Sequence, residues 1–403
     1  MTVNTPLKRS LGLVSVTFYG LGAILGAGIY VLIGEVVAIA GYFAPLSFLL
    51  AAVIALFSAF SYADLGSRFP RSAGEAVYVE EAFHRRRLTQ LIGLMVVLTG
   101  VVSAATMTTG IIGYVQLFVE WPDASIIFCF IGFVGAVAIW GIKESSLMVM
   151  LITILEIGGL FYIIYISSDA MMTFPTEQLR AGSVTDLSTL SGILLGGFLA
   201  FYAYIGFEDM VNIAEEIRRP ERVLPIAILL ALVISTLMYM AVSYAALSVL
   251  RPDQLGNSSA PLADVVVAKG LSSTWISLIS IIAVINGAIV QLIMASRVIY
   301  GMARTQLLPT VLARVSVITA TPIIATLCCI TVTLLLALSF PLALLAQATS
   351  VVVLCIFTVV NVALIRINRL YPEDERRRYP VWIPYIGALL SIAMLLVKLA
   401  DLI

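Results

Sequence analysis

Eleven times along this chain, about twenty residues pass with scarcely a charge. The stretches cover about 11–34, 40–65, 88–118, 124–142, 147–167, 188–214, 223–249, 271–303, 319–338, 341–365 and 381–402. A run of that length and apolarity crosses a bilayer as a helix, because lipid offers no partner to an open backbone. With 61% hydrophobic and 11% charged residues and a mean hydropathy of +1.08, the chain reads as an all-α polytopic membrane protein, one membrane domain over 1–403. A net charge of zero gives nucleic acid no footing. His84 is the sole histidine, and Cys129, Cys328, Cys329 and Cys355 all fall in apolar runs. No metal site, cofactor or catalytic triad is therefore expected, and the chain does not read as an enzyme. Leu11–Ile33 is too long for the apolar core of a cleaved leader and is expected to remain as the first span.

Lys and Arg set the orientation. With the N-terminus inside, nineteen of the 23 fall on the inner side; Arg180, Arg251, Lys269 and Lys398 are the four outside. The expectation is a cytoplasmic N-terminus and, after eleven spans, an outside C-terminus. Spans one and six then run in opposite senses, and both are rich in glycine near mid-depth. Span one holds Gly22, Gly26 and Gly28, and span six holds Gly196, Gly197 and Gly206. Glycine costs about 1 kcal/mol against alanine in a helix interior. Either these glycines allow close helix packing, or both helices are broken where they line a cavity. Interruptions at matching places in two halves point to an inverted repeat around a binding site, with 11–167 as the first half, 188–365 as the second and 381–402 outside the repeat.

Four stretches carry a family likeness. They are Leu25-Gly26-Ala27-Gly28-Ile29-Tyr30, the run Arg68 to Val79, Phe201 to Glu208 followed by Ala214 to Arg222, and Ala295 to Arg304 ending at Pro309. In this order, over nearly the whole chain, they resemble the amino acid–polyamine–organocation (APC) permeases. The resemblance implies the five-plus-five inverted-repeat (LeuT-like) fold with helices 1 and 6 broken, and secondary transport of amino acids or related amines. By the same resemblance, Ala27 and Gly28 match carboxylate positions, and Tyr202 and Ile205 amine-binding carbonyls. Members commonly carry twelve spans rather than eleven, and many carry a lysine where Glu156 stands in span five.

The residues themselves suggest a zwitterion site. A new helix N-terminus after Gly26 would present the amides of Ala27, Gly28 and Ile29 to a carboxylate. The end of the outer half of span six would leave the carbonyls of Tyr202, Ala203 and Ile205, beside Gly206, for an ammonium. Phe201 and Tyr202 are candidate gates, or packing aromatics. Thr106, Asn286 and Gln291 are candidate pocket lining, or bonds between neighbouring helices. Glu208 and Asp209 read first as caps of the inner half-helix, and Glu215, Glu216, Arg218, Arg219 and Arg222, with Arg71, Glu75 and Arg297, as inner-mouth ion pairs or an ordinary solvated loop. Glu156, mid-span, is functional by default: it carries a coupling proton or helps hold Na+, the alternative being a structural hydrogen bond.

The reading is a secondary transporter of amino acids in the cell membrane, working by alternating access with H+ coupling or exchange. A Na+-coupled symporter or a polyamine carrier of the same fold, or a transport-inactive sensor, are the alternatives.

Overall fold

The computed structural model describes residues 9–71, 74–140, 146–172, 186–316, 319, 321–374 and 376–401. Nine helical stretches among them are long and apolar enough to cross a membrane. The first, Leu13–Arg68, holds two such helices joined by a short turn at Gly41–Phe43. Ile323–Ser339 adds a shorter apolar helix. The eleven helices match the eleven stretches read from the sequence. They are α1 (Leu13–Ala40), α2 (Ala44–Arg68), α3 (Arg86–Gly110), α4 (Asp123–Trp140), α5 (Ser146–Ile166), α6 (Leu187–Ala200), α7 (Pro220–Val249), α8 (Thr274–Arg304), α9 (Ile323–Ser339), α10 (Leu342–Leu370) and α11 (Ile383–Asp401). The protein is an all-α polytopic membrane protein, as composition requires.

Turns fall where backbone chemistry demands them. Gly41 ends α1 at φ 56°, a left-handed conformation in which it lacks a Cβ penalty. Pro45 and Pro220 sit in the first turns of α2 and α7, where an amide donor is not needed. At 31 residues α8 is about 46 Å long, so it tilts; α4 and α9, with 18 and 17 residues, pack side by side and rise only about 27 Å and 26 Å.

Four helices make one block, in which α1 and α2 pack on α6 and α7. Around it, α3 packs on α8 and α10, and α5 on α1. Polar staples hold the block to its surroundings. Asn361 of α10 accepts from Ser61 (2.6 Å) and donates toward Ser58 (3.0 Å), both on α2, and toward the Phe357 carbonyl (2.8 Å). It is fully buried beneath Gly387 of α11.

The face where α1 begins is tied by backbone and by charge. The amides of Ser10 and Leu11 donate to the Glu216 carbonyl, and Arg218 donates back to Leu11 (2.8 Å). Arg68, 3% exposed, forks onto Asp64 with bonds of 2.6 and 2.9 Å and reaches Asn368 on α10. Asp374 beyond α10 pairs with Arg376, whose hydrogen bonds and charge hold the carboxyl below the usual range.

Replacing Asn361 by Leu removes three buried hydrogen bonds and strands two serine hydroxyls. The expected loss is about 1–2 kcal/mol, read as a lower unfolding midpoint of the purified protein in detergent, whereas Leu→Ala at lipid-facing Leu335 changes it little.

Candidate substrate and coupling site

The break expected in span six is present. α6 ends at Ala200, one tight turn runs Phe201–Tyr204, Ile205 is extended (φ −63°, ψ 133°), and a 3-10 helix resumes at Glu208–Glu216. Gly206 is the pivot, with φ at +127°, a region closed to side-chain-bearing residues. Its amide donates to Glu208 Oε2 at 2.9 Å, a bond that braces the turn; the segment that follows has Phe207 as its N-cap residue and no side-chain cap, so the capping role expected of Glu208 is not seen.

The break expected in span one is absent. α1 runs through Gly26, Ala27, Gly28 and Ile29 as one helix, so their amides lie in a helix interior and not at a fresh N-terminus. The glycines instead admit the neighbouring chain. A Cβ on Gly28 would lie 2.6 Å from Ala203 Cα, and one on Gly206 would lie 2.7 Å from the Ala23 carbonyl oxygen. Close packing offsets the helix cost of these residues, as small-residue contacts do between membrane helices.

The broken turn is largely satisfied. The Ile205 amide donates to the Tyr202 carbonyl (3.1 Å). The hydroxyl of Tyr239, from α7, lies 2.7 Å from the Ala203 carbonyl oxygen and 2.6 Å from that of Ile24. Two of the three carbonyls expected to be free for an ammonium thus have partners. Tyr239 was missed from the sequence; the signal was a phenol at mid-depth in an apolar helix, which must find an acceptor when buried. The two gate candidates diverge. Phe201 packs edge-on to Phe357 at 5.7 Å, while the Tyr202 hydroxyl meets Ser103 Oγ on α3 at 2.9 Å.

Two small cavities adjoin the break, each with room for little more than a water molecule. One is lined by Glu75, Glu208, Asp209, Tyr62, Thr99 and Gln291, closed by apolar residues of α10. Glu75 accepts from the Tyr62 hydroxyl (3.1 Å) and Asp209 from the Gln291 amide (3.1 Å). Glu75 is therefore turned inward rather than paired with Arg71, which reaches Glu81 (3.7 Å). Burial pushes the Glu75 carboxyl up, against the pull of its own backbone and of Tyr62. Among the described residues, no three acidic, histidine or cysteine side chains stand close enough to share a metal ion. The other cavity is lined by Gly22 and Ala23 of α1, Met107 of α3, and Asn286, Gly287 and Gln291 of α8. Asn286 and Gln291, named as candidate pocket lining, border this cavity. Thr106 does not: it donates to the Val102 carbonyl of its own helix (2.9 Å), the usual fate of a buried threonine in an apolar helix.

Glu156 is fully buried on α5, and neither carboxylate oxygen has a hydrogen-bond partner. Asn286 stands beside it outside hydrogen-bonding geometry, and a Cβ on Gly26 would lie 3.8 Å from its Oε1. Its main-chain carbonyl takes the Tyr30 hydroxyl at 2.6 Å. A bare charge so placed is costly, so the carboxyl needs a proton or a small cation as companion.

Comparison with known proteins adds to this geometry. The profile of a family described as amino acid permease matches residues 11–400. The branched-chain amino acid permease BcaP of Bacillus subtilis is 30% identical over 408 residues, covering 95% of this chain and 86% of that protein. Cationic amino acid transporter 3, mitochondrial, of Arabidopsis thaliana is 28% identical over 396 residues, 92% of this chain and 64% of that protein. The methylthioribose transporter of Bacillus subtilis is 27% identical over 407 residues, covering 94% and 86%. The chain spans less than two thirds of the plant transporter's length.

Gly206→Ala tests the crossing. Strain at φ +127° and the contact with Ala23 are together expected to cost at least about 2 kcal/mol, lowering the unfolding midpoint and abolishing transport, whereas Gly158→Ala, with open space around it, leaves both unchanged.

Proposed function

Since the chain belongs to the amino acid permease family, we propose that it moves amino acids across the cell membrane by alternating access, with the N-terminus in the cytoplasm and transport coupled to protons. The carrying observation is Glu156, an unpartnered buried carboxyl beside the crossing of α1 and the broken helix. The substrate's head group is assigned to that crossing, between Gly26–Ile29 and Tyr202–Gly206. Three glycines within seven residues make α1 cheap to open there. Local unwinding frees the amides of Ala27, Gly28 and Ile29 for the α-carboxylate. The ammonium takes the carbonyl of Ala203 in place of Tyr239, with that of Ile205 nearby. Phe201 and Tyr202 close over the substrate from the outer side. The two halves, 11–167 and 188–365, act as inverted repeats rocking about this point.

The Ala203 carbonyl carries the ammonium assignment, because the atom that satisfies it is a displaceable hydroxyl. Backbone recognition of this kind reads the zwitterion and leaves the side chain to the surrounding pocket.

Purified protein heated in detergent with single amino acids and their decarboxylated amines tests the head-group assignment. Ligand at a hundred times Kd stabilises by about 2.7 kcal/mol, so amino acids are expected to raise the midpoint and the amines are not. Equal shifts from the amines would remove the carboxylate role of Gly26–Ile29. Glu156→Gln is expected to retain amino acid binding while uptake loses its response to an imposed pH gradient; an unaltered response rules out coupling through Glu156.

A further inference from the structure

The two cavities share a wall. Gln291 of α8 lines both, and Asn286, five residues before it, lines the one nearer Glu156. Gln291 is 6% exposed. Its amide nitrogen donates to Asp209 Oδ2, and its amide oxygen takes no hydrogen bond from any described residue. Asp209 neighbours Glu208, and both share their cavity with Glu75, on the short helix Gly74–Phe83 toward the basic face. A line of polar groups therefore runs from Glu156 past Asn286 and Gln291 to three carboxyls.

Resting on the reading of Glu156 as the coupling group, we propose that Asn286 and Gln291 hold water in the two cavities and so form a proton path between Glu156 and the carboxyls of Asp209, Glu208 and Glu75. Side-chain amides do not carry protons themselves. Each offers a donor and an acceptor, which is what a confined water needs to be held in line. In the inward step the O–H bond of the Glu156 carboxyl breaks and its proton passes to a water between Asn286 and Gln291. That water gives up a proton to the Asp209 carboxylate, where a new O–H bond forms. Charge moves, and nothing is oxidised or reduced.

The surroundings suit this traffic. Facing Glu156 are Tyr30 from α1, Tyr239 from α7 and Asn286 from α8, while Asp264 on the helix Pro261–Ala268 is turned away to Ser258. Facing the three carboxyls are Tyr62 from α2, Thr99 from α3 and Gln291 from α8, and α10 presents only Val353, Ile356 and Phe357. Among the described residues no Lys, Arg or His lines either cavity, so none of them pins a proton vacancy in place. The three carboxyls also fail to converge on a metal-binding point.

The test uses the full chain in liposomes. Counterflow of radiolabelled L-amino acids, first as a mixture of twenty and then as L-leucine and L-lysine alone, measures exchange without net proton movement. Uptake driven by an imposed pH gradient, with a trapped pH dye, measures coupling. For Gln291→Met and Asp209→Asn the ratio of driven uptake to counterflow is expected to fall at least tenfold, as it does in Glu156→Gln, while Gln291→Asn retains most of it. A loss of packing alone would lower both rates together and leave the ratio intact, which overturns the path. Should Gln291→Met not fold, Asn286→Leu makes the same test from the other cavity. A ratio that falls in Glu156→Gln but holds in Gln291→Met and Asn286→Leu overturns the path and spares the role of Glu156. A ratio unchanged in Glu156→Gln itself removes the coupling reading. If Asp209→Asn loses L-lysine counterflow alone and keeps its coupling ratio, the carboxyls read a cationic side chain and the path falls.

Discussion

The architecture depends on one contact, the seating of the broken turn of helix 6 against the glycine face of α1. Two backbones meet there at distances that leave no space for a Cβ on either Gly28 or Gly206. A helix interrupted in lipid would expose polar groups at a cost of several kcal/mol. Here the interruption is covered by α1 on one side and by α7 on the other, with the Tyr239 hydroxyl serving carbonyls of both broken and unbroken helix. The four-helix block of α1, α2, α6 and α7 follows from the need to enclose that turn.

Around the block, polarity is spent sparingly. Asn361 staples α2 to α10, Tyr202 ties the turn to α3, and most hydroxyls on membrane helices fold back on their own carbonyls. Against that economy the carboxyls stand out. Asp64 is matched by Arg68, whereas Glu156, Glu208 and Asp209 have no cation beside them. Matched charge holds the basic face together; unmatched carboxyls cluster near the break, where a transporter must handle something that moves.

Much of this was legible beforehand, and the rest was not for definite reasons. Apolar runs of twenty residues are strong signals, because lipid admits few alternatives, and each of the eleven helices overlaps one of them. The break in span six was legible from Gly196, Gly197 and Gly206, residues that each cost a helix interior about 1 kcal/mol. Gly22, Gly26 and Gly28 carried the same local signal with the opposite outcome, since glycine permits a break and a close contact equally and only the partner decides. Thr106 looked polar by residue type, yet its nearest acceptor was its own helix. The inward turn of Glu75 and the bridging by Tyr239 depend on residues distant in sequence, and no local spacing reports them.

The short pair α4 and α9 bears on the lipid around the protein. Lined up side by side, with Phe128, Phe133, Leu327 and Leu335 facing outward, they offer a hydrophobic wall a few ångströms lower than the roughly 30 Å hydrocarbon slab. On the opposite terms α8 is too tall and leans. A hydrocarbon slab of ordinary thickness would have to thin along that flank, so acyl-chain length would act as a mechanical load on the molecule. Bilayers of thinner hydrocarbon relieve that load, and thicker ones press on the flank formed by α4 and α9.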